Sequence, residues 1–328
     1  MSVAQFSVDC CIAGGGPAGL MAGLLFARAG VQVLVLEKHA DFLRDFRGDT
    51  IHPSTLEIMD QLGLAEKLLK LPHEKIRSLR FHAGGETALV ADFTTLPVRY
   101  PFVAIMPQWE FLTFVATQAA RYAAFNLMME TEANDLIEEN AKIAGIRAAT
   151  PNGEIEVRAP LVIAADGRHS VLREKAGLAV AEIGAPMDVL WFRLSRSADD
   201  PRDVMGRLGA GALFIMIDRR DYWQCGYAIP KGTVDEIRLR GLEAFRREIA
   251  ELVPFARERV DELQSWSDVK LLSVAVDRLV QWYRPGFVCI GDAAHAMSPI
   301  GGVGINLAIQ DAVAAANILA RPLREGRL

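Results

Sequence analysis

Apolar positions along the chain fall into two kinds of run. Val8–Ala13, Val31–Leu36, Leu161–Ala165 and Phe287–Ile290 are short and apolar at nearly every position, Asp9 and Gln32 excepted. That is the pattern of strands buried on both faces of a parallel sheet. Pro17–Ala29, Asp60–Leu71, Gln108–Tyr122, Val234–Val253, Phe255–Leu263 and Gly304–Leu319 read as helices. Gly30 ends the first of these, and Pro107 stands at the start of the third. Between Leu127 and Arg158 the pattern alternates, with turn signals at Glu139-Asn140 and Pro151-Asn152-Gly153, which predicts a small antiparallel meander. Val189–Leu194, Leu213–Ile217 and Tyr222–Ile229 are further strand candidates.

Parallel-sheet elements therefore lie at the start, middle and end of the chain, with antiparallel material between them. The predicted fold class is α/β, a Rossmann-like nucleotide-binding domain of non-contiguous segments with an inserted β-rich lobe. The expected division assigns residues 1–70, 102–180 and 281–328 to the nucleotide domain. Residues 71–101 and 181–280 form the substrate lobe.

Composition narrows the class. A chain of 328 residues is about two domains' worth, and 51% hydrophobic against 23% charged residues excludes disorder. A net charge of −5 without any Lys/Arg run argues against a nucleic-acid partner. Four cysteines, Cys10, Cys11, Cys225 and Cys289, in apolar settings suit a reducing cytoplasm rather than a disulfide framework. The apolar stretch Val8–Leu36 has no basic residue before it and is broken by Gly14-Gly15-Gly16-Pro17, so neither a signal peptide nor stable membrane insertion is expected. The six histidines show no metal-ligand spacing, and no metal is expected.

Three motifs carry chemistry. Gly14-x-Gly16-x-x-Gly19 lies between a predicted strand and helix, with Glu37 eighteen residues past the last glycine at the end of the second strand. Glycines there allow a tight turn, backbone approach to a pyrophosphate and close helix packing, while the acid can accept from a ribose diol. This pattern does not separate FAD from NAD. Asp166-Gly167 stands at another strand end and by itself reads equally well as an ordinary turn. Gly291-Asp292, followed by Pro299-Ile300-Gly301-Gly302-Val303-Gly304-Ile305-Asn306, places an acid and several backbone N–H groups at a helix start.

Taken in order with the pair Arg47-Gly48 and with Gln108, these motifs resemble the class A flavoprotein aromatic hydroxylases, the family of the para-hydroxybenzoate and phenol hydroxylases. The resemblance runs from about Ser7 to Leu319. It implies FAD as cofactor, with Gly14, Gly16, Pro17, Ala18 and Gly19 near the pyrophosphate and Glu37 and Lys38 at the adenosine end. Arg47, Gly48 and Gln108 would contact the ribityl–phosphate part and Asp292 a ribityl hydroxyl. The backbone of Gly302, Gly304, Ile305 and Asn306 would face the flavin pyrimidine edge. Asp166 and Gly167 belong to a motif linked to both FAD and NAD(P)H, and Pro299 aligns with a proline whose carbonyl faces the substrate. No residue is assigned as acid or base.

The implied reaction uses NADH or NADPH and O2 to hydroxylate an aromatic, phenolic substrate through a flavin C4a-hydroperoxide. Trp191, Phe214, Met216 and Tyr227 are the expected pocket lining, and Met216 points to a less polar substrate than a benzoate. A halogenase signature fails, because Cys225 and Tyr227 stand where two tryptophans are needed. An FAD-dependent dehydrogenase or reductase, a quinone-pathway hydroxylase and a non-catalytic FAD-binding protein stay open. Family chains run on beyond the final helix, in a segment that covers the site or supports a homodimer, whereas this sequence ends soon after Arg321-Pro322.

Overall fold

The four short apolar runs become neighbouring strands. The computed structural model describes residues 3–43, 50–83, 86–201, 205–209 and 212–328. Its six-stranded sheet has the order Tyr283–Arg284, Phe287–Cys289, Leu161–Ala164, Cys10–Ala13, Val33–Leu36, Phe125–Met128. All neighbours pair in parallel except the first two. Cys10–Ala13, Val33–Leu36 and Leu161–Ala164 are buried at every position, as a sheet covered on both faces requires. One rung passes through Cys289, Ala164, Ala13, Leu36 and Met128, so five parallel strands end side by side. The helix Pro17–Arg28 joins two of them and packs against Gln108–Ala119 and the C-terminal helix Gly304–Arg324.

Several elements depart from expectation. The stretch opening the expected meander belongs to the parallel sheet, because Phe125–Met128 pairs with Val33–Leu36. Glu132–Glu139, Lys142–Thr150 and Gly153–Arg158 form the antiparallel part, and Ala4–Ser7 joins it in parallel. The helix expected over Asp60–Leu71 is two helices, Pro53–Gln61 and Ala65–Leu68, interrupted where Gly63 has φ +70°. The run Val234–Val253 breaks at Gly241 (φ +89°) into Val234–Arg240 and Leu242–Leu252, and Pro254–Glu262 is a 3-10 helix.

Met1–His73, Ile105–Ile183 and Val276–Leu328 pack as one unit, and Glu74–Ala104 with Gly184–Ala275 as another. The second unit is built on a seven-stranded sheet ordered Lys270–Leu272, Met187–Ser195, Tyr222–Pro230, Ala212–Asp218, Met205–Gly209, Ser78–Ala83, Glu86–Asp92. Alternation divides its residues between two faces. Leu190, Phe192, Phe214, Met216, Cys225 and Tyr227 share the face covered by the helix Leu242–Leu252. Phe245 from that helix meets the Phe192 and Tyr227 rings edge-on at 5.6 and 5.8 Å. Phe214, Met216 and Tyr227 are thus core of this unit and not pocket lining, a correction that follows from the helix packing on their face. Trp191 pairs with Gly226 and lies on the opposite face.

At the end of this core, Asp200 is held by both guanidinium nitrogens of Arg259 at 2.6 and 2.7 Å, the Trp223 indole N–H at 2.7 Å and the Ser197 amide at 3.0 Å. Burial alone would raise its pKa, but these donors overrule it and hold the carboxyl at about 2. A carboxyl depressed from 3.8 stabilises the fold above its unfolded pKa and loses that contribution as pH falls through about 2. Asp200→Asn is expected to cost about 3 kcal/mol, because Arg259 is left largely buried and uncompensated. Urea unfolding measures this, and between pH 4 and 2 the variant should lose less stability than the parent.

Candidate active site

The first motif is shaped by what cannot fit. Gly14 has φ +107°, and a Cβ there would lie 2.2 Å from the Ala165 carbonyl oxygen. A Cβ on Gly19 would lie 1.9 Å from the Gly14 carbonyl oxygen. Gly16 differs, since a Cβ there meets nothing within 4 Å. It is the extended N-cap of Pro17–Arg28, and no side chain caps that helix. The first-turn amides of Ala18 and Gly19 have no intrahelical acceptor, so this end offers N–H groups and partial positive charge to an anion.

Glu37 follows the next strand and is buried. Its Oε2 accepts from the Gly15 amide at 2.9 Å, while Oε1 accepts from the His39 amide at 3.0 Å and lies 2.7 Å from His39 Nδ1. The acid is thereby locked against the glycine loop. Lys38 is exposed and pairs with Glu132 at 3.9 Å, a surface contact of little energetic weight.

Asp166 emerges beside Gly14, because the Ala165 amide donates to Ala13 O at 2.8 Å. Its Oδ2 accepts from the Leu172 amide at 3.4 Å, and its buried Oδ1 has no partner among the described residues. Burial pushes this carboxyl up, against hydrogen bonds from Ser170 and the following amides. Gly167 has φ +89° with open space where a Cβ would be. Arg173 donates to Arg168 O at 2.9 Å and to Ala293 O at 3.2 Å, tying this turn to the Gly291-Asp292 turn.

That turn is a short 3-10 segment, Gly291–Ala293. A Cβ on Gly291 (φ +60°) would lie 3.0 Å from the Ala18 Cβ, so the third motif rests on the first. Asp292 stands half-buried beside it. Asp311, on the C-terminal helix, accepts from the Gly291 amide at 2.8 Å and lies 2.7 Å from His295 Nε2. The Trp282 ring sits 5.1 Å from the His295 ring. The Asp311 hydrogen bond raises the His295 pKa despite burial. Asp311 was not foreseen; its signal in the sequence is a single acid inside the apolar stretch 304–319.

The loop before the C-terminal helix turns on Gly301 (φ +76°) and Gly302 (φ +62°). Asn306 is 3% exposed and uses its whole amide. Nδ2 donates to Thr50 O at 2.9 Å and Gly302 O at 3.0 Å, and Oδ1 accepts from the His52 amide at 2.9 Å and Thr55 Oγ1 at 2.8 Å. The Asn306 side chain is therefore a staple between this loop and the helix Pro53–Gln61, and its backbone amide donates to Val303 O at 3.0 Å. Thr50 Oγ1 also donates to Gly302 O at 2.8 Å. Burial lowers the His52 pKa, opposed by a hydrogen bond to Gly301. The Pro299 carbonyl, expected to face substrate, accepts from the Gly302 amide at 3.0 Å. Gly304 begins the helix and Ile305 is buried beneath it. Gln108 is the half-buried first residue of its helix. Arg47 and Gly48 lie outside the described residues.

Three glycine turns, two acids at strand ends and two uncapped helix N-termini thus line one edge of a parallel sheet, the place where open α/β sheets bind nucleotides. A family model described as an FAD binding domain matches residues 7–327, and the chain belongs to that family. It is 34% identical to 6-methylpretetramide 4-monooxygenase of Streptomyces rimosus, over 96% of this chain and 76% of that protein. It is 24% identical to para-nitrophenol 4-monooxygenase of Pseudomonas sp. strain WBC-3, over 96% and 78%. The crystal structure of p-nitrophenol 4-monooxygenase PnpA from Pseudomonas putida DLL-E4 shares the fold, with TM-score 0.80 and 22% identity over 99% of this chain and 82% of that one.

The residues present fit FAD. The space at Gly16 and Gly167 is open, and the buried Asp166 Oδ1 has no partner among the described residues, so the motif backbone can be approached by a dinucleotide. Two substitutions separate cradle from scaffold. Gly16→Val should leave the apoprotein melting temperature within about 2 °C yet weaken FAD binding at least tenfold in a flavin fluorescence titration, whereas Gly14→Val should unfold the protein outright. Asp311→Asn should weaken FAD binding about five- to tenfold, as expected for losing a charge-assisted hydrogen bond. Because the His295 pKa is raised, the Asp311 ion pair is complete below 6.5 and fades as pH rises through the shifted value. The difference between parent and variant should therefore shrink at high pH.

Proposed function

We propose that this protein is an FAD-dependent monooxygenase that uses NADH or NADPH and O2 to hydroxylate an apolar aromatic, phenolic substrate in the cytosol. The observation that carries this reading is the common rung of Ala13, Leu36, Ala164 and Cys289. It delivers Gly14–Gly16, Glu37, Asp166–Gly167 and Gly291–Asp292 to one edge. The relatives named above, monooxygenases by name, support the outcome of the reaction.

In this reading the unit Met1–His73, Ile105–Ile183, Val276–Leu328 holds FAD and the other unit supplies the substrate lobe. Gly14, Gly16 and the first turn of Pro17–Arg28 hold the pyrophosphate, and Glu37 the adenosine ribose. Gln108 and Arg47 serve the ribityl–phosphate part, Asp292 a ribityl hydroxyl, and the backbone from Gly302 to Asn306 the electron-rich edge of the ring system. Bound FAD supplies acceptance of hydride from the nicotinamide and transfer of one oxygen atom to the aromatic ring. The protein's own part is placement: N–H groups at the two helix starts stabilise negative charge.

Two measurements test the reading. With labelled O2, one labelled atom should enter the product while NAD(P)H is oxidised in step; flavin reduction without any label in a product, across a panel of phenols, would falsify it. Asp292→Ala should weaken FAD binding by about 1–3 kcal/mol, the range for losing a hydrogen bond to a buried polar partner, with equilibrium dialysis of the flavin as the check.

A further inference from the structure

The lobe sheet carries an unusual rung on the face opposite its helices. From Met187–Ser195 across to Ser78–Ala83, the residues in register are Trp191, Gly226, Ile215, Gly206 and Phe81. Each outer aromatic lies over the glycine beside it. A Cβ on Gly226 would lie 3.0 Å from Trp191 Cζ3, and a Cβ on Gly206 would lie 2.3 Å from Phe81 Cε1. Both rings therefore lean inward toward Ile215. Neighbouring strands are about 4.8 Å apart, so rings seated two strands apart are about 10 Å apart, with Ile215 as the floor between them.

Two further observations point to a ligand on this face. The Trp191 indole nitrogen is buried and has no hydrogen-bond partner among the described residues. A buried indole N–H ordinarily finds an acceptor, so an orphaned one marks a missing partner. Beyond Phe81 the same face carries an open surface cavity of about 430 Å³, lined in part by the exposed Ala83, Ala88 and Leu208 and by Leu213. That size lies within the range of small-molecule pockets, and its walls are mainly apolar.

We infer that this rung selects the substrate: a molecule of two or more fused rings whose hydroxyl or carbonyl oxygen, borne on the ring, accepts from the Trp191 N–H and whose apolar remainder lies over Ile215 and Phe81 toward the cavity. Trp191 acts as donor and platform. Phe81 discriminates by size, and Gly206 and Gly226 are required because any side chain there would unseat the rings. A single-ring phenol reaches the Trp191 end and leaves the Phe81 end unused. The inference rests on the monooxygenase reading only in calling the ligand a substrate, since binding is measurable without turnover.

The test is calorimetric titration of the full FAD-loaded chain with phenol, 2-naphthol and 2-hydroxyanthraquinone. Affinity should rise with ring number, by at least tenfold from phenol to 2-hydroxyanthraquinone. Trp191→Phe keeps a ring and removes the donor, so it should weaken all three probes about fivefold, the usual effect of one hydrogen bond. Phe81→Ala and Gly206→Ala should each cancel most of the gain for the three-ring probe while leaving phenol within twofold. If Gly206→Ala does not fold, the other two variants decide. The inference is overturned if no probe binds, if affinity is independent of ring number, or if the ring dependence survives undiminished in Phe81→Ala. Trp191→Phe binding all probes as the parent does would remove the donor role. Ring-graded binding without label incorporation from O2 would sink the monooxygenase reading and leave this one standing. Oxygen incorporation with size-independent binding would do the reverse.

Discussion

The Ala165 carbonyl oxygen occupies the space a Cβ on Gly14 would need, and the first unit is organised around that contact. Two parallel strands can end side by side with their following turns touching only if one turn lacks a side chain. The Ala165 amide then bonds back to Ala13, Gly14 bonds across to Leu36, and three strand ends become one surface. The next layer repeats the device, with Gly19 against the Gly14 carbonyl and Gly291 against Ala18. A sheet built this way brings separate stretches of sequence to one edge without any long loop.

How much of this could be read beforehand depended on distance along the chain. The buried strands, the first helix and the glycine spacing are local patterns, and they stood out. The Asn306 staple did not, because its partners Thr50, His52 and Thr55 lie some 250 residues earlier and none belongs to a motif. Glu37 was legible as an acid at a strand end, but its engagement with His39 was not, since that bond depends on the turn after the strand. In the lobe, alternation divides Trp191 and Ile215 from Phe192, Phe214 and Met216 but does not say which set a helix will cover. Leu242–Leu252 decides it, and its approach is a tertiary event. Gly63 and Gly241 broke helices whose apolar periodicity continued across the gap, because a left-handed glycine costs the pattern nothing.

The buried carboxyls show how structural and functional acids differ in this molecule. Asp200 is surrounded by donors on every side and is held ionised, which suits a group whose task is to anchor Arg259 and Trp223. Asp166 is half-buried but keeps one buried oxygen without a partner among the described residues, and burial pushes its pKa the other way. Full satisfaction lowers energy and closes a site, whereas an incomplete shell holds a position open at a cost that the rest of the fold carries. Trp191 stands in the same relation to Trp223, whose indole N–H is bound to Asp200.

The interleaving of the two units has a consequence for how the chain is made. The parallel sheet takes its strands from Cys10–Ala13, Val33–Leu36, Phe125–Met128, Leu161–Ala164 and Phe287–Cys289, so its last parallel member is translated 123 residues after the one before it. At 5–20 residues per second, that is roughly 6–25 s on the ribosome during which Leu161–Ala164 has an exposed edge. The lobe strands from Met187 to Pro230 are synthesised within this interval and pair among themselves. All residues of the inserted unit are thus synthesised before the last parallel strand, and until then the sheet carries an unpaired edge at Leu161–Ala164.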